Sequence, residues 1–168
     1  MAKSGISSNA LTGIDFNETI IGIVKTEWNT HIIDRMYQSC ISTLSENGVS
    51  QENIISIEVP GAFEIPFGIK LLLDNHKIKA AIGLGCVIKG ETSHDQHINR
   101  AVSSALMQLS IFSNVPVIFG VLTTNDEAQA MARSGGDKGN KGADAAITAL
   151  KMVALKSTYN AQKKKIGY

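Results

Sequence analysis

The sequence predicts the α/β class: a single, doubly wound domain with a four-stranded parallel sheet and helices on both faces. Two observations carry that prediction. Strand-length runs rich in Ile and Val recur at residues 19–25, 53–59, 80–88 and 115–122, as buried parallel strands require. Between them lie segments whose apolar residues fall at helical spacing. The length of 168 residues suits one domain that buries its core without metals or disulfides.

Each element has its own signal. The first strand is followed by Ile32, Ile33, Met36 and the run Ile41 to Leu44, a helical pattern. The second strand is followed by Phe67, Ile69 and Leu71 to Leu73, another. After the third strand, Thr92 or Ser93 can cap a helix through Ile98, Val102, Ala105, Leu106 and Leu109, which the turn Asn114-Val115-Pro116 ends before the fourth strand. A further helix starts near Asp126 and ends at Gly135-Gly136, and the last runs from about Asp144 to Ser157 with Ile147, Leu150 and Val153 inward. Strands alternating with helices, and no internal repeat, imply a flavodoxin-like three-layer sandwich. The expected domain spans residues 18–158, after a flexible Ser/Gly-rich segment 1–17 and before a basic, solvated and mobile tail 159–168.

Composition narrows the function. The formal net charge is +1 and charged residues make up 18%, which excludes the broad basic surface that nucleic acid or anionic membrane requires. Any anion site is therefore local. Cys40 and Cys86 lack metal-ligand spacing and read as small buried hydrophobes in a reducing compartment. No run has the apolar length of a signal peptide or of a membrane span of ~18 residues. A soluble, cytoplasmic protein is expected.

Parallel sheets bind ligands at the carboxyl ends of their strands. Trp28, the one tryptophan, stands after the first strand as either a flat ligand-binding face or a plug at the core edge. Phe63, behind Pro60-Gly61, presents the same choice, and core packing is the plainer reading. The segment Gly85 to His94 is more telling: a buried strand runs into Gly90 and then into small polar residues that open a helix. Backbone N–H groups of Glu91 and Thr92, the Thr92 hydroxyl and the helix dipole can meet a phosphate there. His94, on the first turn, either moves protons or is a surface histidine without a role. Residues 133–142 alternate glycine with cationic side chains, as a phosphate-holding stretch or a soluble loop would.

The motifs Val59-Pro60-Gly61-Ala62-Phe63-Glu64-Ile65-Pro66, Gly90-Glu91-Thr92-Ser93-His94, Phe119 to Thr124 and Gly139-Asn140-Lys141-Gly142 occur in the order and spacing of the lumazine synthases. The chain resembles that family from about residue 19 to residue 157. The resemblance implies a transferase of riboflavin biosynthesis that joins 5-amino-6-(D-ribitylamino)uracil to 3,4-dihydroxy-2-butanone 4-phosphate, without metal or cofactor. By resemblance, Trp28 stacks on the pyrimidine, Ala62, Phe63 and Glu64 line its pocket, and Cys86, Val87 and Ile88 hold the heterocycle. Glu91 and Thr92 then cradle phosphate, and His94 is the general acid/base. The family places its pocket between subunits of a pentamer, so Phe119, Arg133 and Lys141 would come from the adjacent chain, Arg133 on the phosphate. The short connection 135–142 permits a shell of sixty subunits, and riboflavin synthase is an expected partner.

This chain departs from the family after His94. Relatives usually place an aromatic residue and then a carboxylate there, whereas Asp95 and Gln96 follow, and Arg100 replaces a usual acidic residue one turn on. Asp137 stands where many relatives carry lysine, leaving Lys138 and Lys141 to supply positive potential. These departures motivate an alternative, a flavin- or lumazine-binding carrier or shell protein with weak or no catalysis. A monomeric signalling module would instead need an acidic cluster at the strand ends, which the sequence lacks.

Overall fold

A computed structural model describes residue 11 and residues 13–165, the side chains of 162–165 excepted. The chain runs β1 (Ile21–Thr26), α1 (Thr30–Glu46), β2 (Ile54–Val59), a 3-10 turn (Ala62–Glu64), α2 (Ile65–Asn75), β3 (Ala80–Ile88), α3 (His94–Ser113), β4 (Val117–Thr124), α4 (Glu127–Arg133), β5 (Ser134–Gly136), β6 (Gly139–Asn140) and α5 (Lys141–Lys165). The four long strands form one sheet in the order β2-β1-β3-β4. All its pairings are parallel, with Ile21 beside both Ile54 and Ala80, and Gly83 beside Phe119. The predicted three-layer α/β sandwich is what the chain builds.

Alternation along the strands separates two apolar layers. Ile23, Ile82 and Leu84 join α1 and α5 on one face, with Ile147, Leu150 and Val153 inward as expected. Val24, Ala81 and Val121 join α2 and α3 on the other. The sheet is buried on both sides, so its strands read as continuous apolar runs in sequence. Lys25 is the exception in β1. Burial alone would lower its pKa, but Glu58 and Asp34, 3.0 and 3.3 Å from Nζ, raise it on balance.

Glycine permits two close approaches. A Cβ on Gly142 would overlap the Met36 carbonyl, so α5 starts directly against the backbone of α1. A Cβ on Gly120 would stand 2.7 Å from the Gly83 carbonyl oxygen.

Several boundaries differ from those predicted. Strand β4 starts at Val117 rather than 115, because Pro116 cannot donate and Asn114 closes α3 in the left-handed region at φ 54°. Helix α5 begins earlier than 144, where Asn140 Oδ1 accepts from the Gly142 amide at 2.8 Å, and continues to Lys165 rather than ending at 157. Residues 157–165 contain neither Gly nor Pro to stop it. The stretch read as a loop holds the antiparallel pair β5–β6, turned by Gly135 and Gly139 at φ 117° and 81°. Packing also begins ahead of residue 18, since Leu11 and Phe16 are buried against the α1–α5 layer. Residues 1–10, 12 and 166–168, parts of the expected flexible segment and tail, lie outside the described residues. No described helix is long and apolar enough to cross a membrane.

Candidate functional site

The carboxyl ends of β1, β2 and β3 converge because hydrogen bonds stitch their loops together. After β1, the Glu27 and Trp28 amides donate to the carbonyls of Val59 and Pro60 at 2.9 and 3.2 Å. Asn29, left-handed at φ 60°, reaches the other way and donates from Nδ2 to the Cys86 carbonyl at 3.1 Å. One short loop thus spans both neighbours of β1 and holds Trp28 outward, 74% exposed. After β2, the Gly61 amide donates to Glu64 Oε2 at 3.1 Å while the Glu64 amide donates to the Gly61 carbonyl. That reciprocal pair fixes the turn presenting Phe63, which is 61% exposed.

These elements enclose a cavity of about 1050 Å³. Trp28 and Phe63 are its aromatic walls, and Ala62 and Glu64 continue the wall of Phe63. Cys86, Val87 and Ile88 line it from the end of β3, and Thr92 and His94 from the start of α3. Ser93 stands at the cap position of α3 without a side-chain hydrogen bond, and the His94 amide lies 3.4 Å from Thr92 Oγ1. Burial, and secondarily the charge of Glu127, pushes the Cys86 thiol up to about 11, so it lines the cavity as a neutral group.

The other expected residues fall elsewhere. Glu91 is exposed and does not line the cavity. Phe119 and Lys141 line a second hollow of about 290 Å³ beside β4 and α5. Arg133 is exposed at the end of α4, where its Nη1 donates to the Gln129 carbonyl at 3.1 Å. Within one chain, Phe119, Arg133 and Lys141 stand outside the lining of the large cavity.

Sequence reasoning missed three polar lining residues: Asn29, Asp95 and His97. His97 stands three residues after His94, the spacing that shares a helix face, and that signal was present. Asn29 had only its place beside Trp28, and Asp95 stood out as a departure that could stand in for the family's usual carboxylate beside His94.

With this geometry in view, the comparisons decide the family. Residues 18–157 match the family model described as 6,7-dimethyl-8-ribityllumazine synthase. The chain belongs to the lumazine synthase family. It is similar to proteins named 6,7-dimethyl-8-ribityllumazine synthase from Porphyromonas gingivalis, 47% identical over 80% of this chain and 84% of the relative, and from Cytophaga hutchinsonii, 45% identical over 91% and 96%. A third, from Rhodopirellula baltica, is 44% identical over 82% and 88%. Membership in the lumazine synthase family makes this chain a transferase of riboflavin biosynthesis.

Proposed function

We propose that this chain condenses 5-amino-6-(D-ribitylamino)uracil with 3,4-dihydroxy-2-butanone 4-phosphate to give 6,7-dimethyl-8-ribityllumazine, inorganic phosphate and two waters. The observation that carries this reading is the single cavity in which Trp28 and Phe63 stand over the end of β3 with His94 beside them. Trp28 and Phe63 offer flat faces to the heterocycle. Thr92 and the opening of α3 offer donors and a positive dipole end to the phosphate. His94 carries protons through imine formation, phosphate elimination and ring closure. Both substrates bring their reactive groups with them, so the protein's main contribution is to align amine with ketone. A carrier without turnover is not favoured, because relatives matching most of the chain are named as synthases.

We propose further that the site is completed by a second copy. Phe119 and Lys141 sit on one face and Arg133 near the end of α4, away from the large cavity. A neighbouring chain that brought these three residues to the cavity would add an aromatic wall and cationic groups for the phosphate. Phe67 and Leu71 on α2, with Met107, Ile111 and Phe112 on α3, are exposed, Phe112 to 83%. Apolar surface of that extent calls for cover. A homopentamer, able to pack into a sixty-subunit shell, located in the cytoplasm and supplying riboflavin synthase, is the assembly this reading favours.

The deciding experiment is an absorbance assay for lumazine formation by purified protein, corrected for spontaneous condensation. Product and phosphate released only when both substrates are present are expected. Binding of the pyrimidine without product would overturn the catalytic reading, and a monomer in analytical ultracentrifugation would overturn the shared site.

A further inference from the structure

We infer that Asp95 is a further substrate-binding residue: its carboxylate accepts a hydrogen bond from an N–H or hydroxyl of the pyrimidine substrate and sets affinity for that substrate over the phosphorylated one. The inference rests on the reaction proposed above.

Two carboxylates line the cavity, Glu64 and Asp95. Glu64 is already engaged, since its Oε2 accepts the Gly61 amide. Asp95 has no such partner among the described residues. Its Oδ1 is enclosed and receives no hydrogen bond among the described residues, and the same holds for Asn99 Oδ1 one turn further on. Both follow from helix phase. Asp95, Asn99, Val102 and Leu106 share one face of α3, and Val102 and Leu106 are 1% and 2% exposed. The carboxylate is drawn inward by the register of an apolar stripe. Neither histidine can serve it along the helix, because side chains one and two residues apart do not face each other.

The enclosed Oδ1 is an acceptor that a bound donor can satisfy. Asp95 also lines a cavity built to receive a donor-rich molecule. Rotation about its terminal torsion is soft and roughly two-fold, so either oxygen can turn toward the cavity. The pyrimidine offers ring and amino N–H groups and the hydroxyls of its ribityl chain. The butanone phosphate brings a dianion, which a carboxylate repels. The acceptor is thus matched to one of the two substrates.

The test uses full-length Asp95→Asn and Asp95→Ala proteins, with steady-state kinetics for both substrates, calorimetric titration with the pyrimidine alone, thermal melting and light scattering. Asp95→Ala is expected to raise the pyrimidine KM and Kd roughly tenfold or more, the loss typical of a hydrogen bond to a charged group. Asp95→Asn, which keeps an acceptor but not the charge, is expected to fall between Asp95→Ala and the wild type. The butanone phosphate KM and the kcat at saturation should hold, and the melting temperature should stay close to that of the wild type. Unchanged pyrimidine affinity, equal loss for both substrates, or a lower melting temperature with intact affinities would overturn the inference, the last by making Asp95 merely structural. A change in assembly size would do the same by assigning its partner to another subunit. Wild-type protein that binds pyrimidine without making product would overturn the reaction while titration still judged Asp95. Protein that did neither would overturn both.

Discussion

An imidazole is the side chain best suited to trade protons in neutral water, and His94 brings one into the cavity that Trp28 and Phe63 wall. His94→Ala is expected to lower kcat by about 10²- to 10⁴-fold, the range for a lost general acid/base, with the pyrimidine KM little changed and one limb of the pH–rate profile removed. An unaltered rate would reduce His94 to a surface histidine. The two cysteines give a separate expectation about pH. Burial pushes Cys40 up to about 12, and burial with the Glu127 charge pushes Cys86 up to about 11, both from 9.0. As pH rises, the unfolded chain therefore releases these protons first. Their contribution to stability is full below about pH 9 and is lost as pH climbs toward 11 and 12. Denaturation midpoints should fall across that window, and a Cys40→Ala, Cys86→Ala double variant should show a shallower fall. A slope identical in both proteins would show that the thiols play no part.

At the scale of elements, the contact of α5 with α1 is the tightest constraint. Adding one methyl at Gly142 drives it into the Met36 backbone, which cannot rotate away as a side chain would. Gly142→Ala should destabilise the fold by about 1–3 kcal/mol or more, the effect of overpacking, whereas Gly90→Ala, with open space around it, should melt close to the wild type. Equal melting of the two variants would mean that α1 yields easily. The four strands were legible because a sheet covered on both faces writes continuous Ile/Val runs into the sequence. The β5–β6 pair was not, because strands of three and two residues made of Gly, Ser and Asn carry no periodicity. Phe16 was missed because its Ser/Gly-rich surroundings outweighed one aromatic residue. Trp28, Phe63 and His94 could be placed at strand ends, since topology alone puts those ends together. The inward register of Asp95 was missed because its short polar side chain looks like a first-turn surface residue, and the apolar stripe that carries it inward lies further along α3.

For the whole molecule, the separation of Phe119, Arg133 and Lys141 from the main cavity determines how activity should behave in mixtures. Trp28→Ala damages one half of the proposed site and Arg133→Ala the other. Each variant alone should be inactive. Subunit exchange between them should restore part of the turnover, because some mixed pockets would draw both halves intact. Absence of recovery, with exchange verified by mass spectrometry of tagged subunits, would place the whole site within one chain. Local sequence could not decide this, since residues far apart on a monomer become neighbours only through a symmetry that no short motif encodes.

The loop tied to both neighbours of β1 has a practical consequence. It holds the chain's one tryptophan largely in solvent at the cavity wall, so the ultraviolet emission of the folded protein comes almost entirely from that indole. A heterocycle laid against it should quench that light, while an unfolding event elsewhere should leave the spectrum nearly still. With the ligand stacked as proposed, the indole would serve as the chain's own optical reporter, and stopped flow would time ligand entry without any attached label.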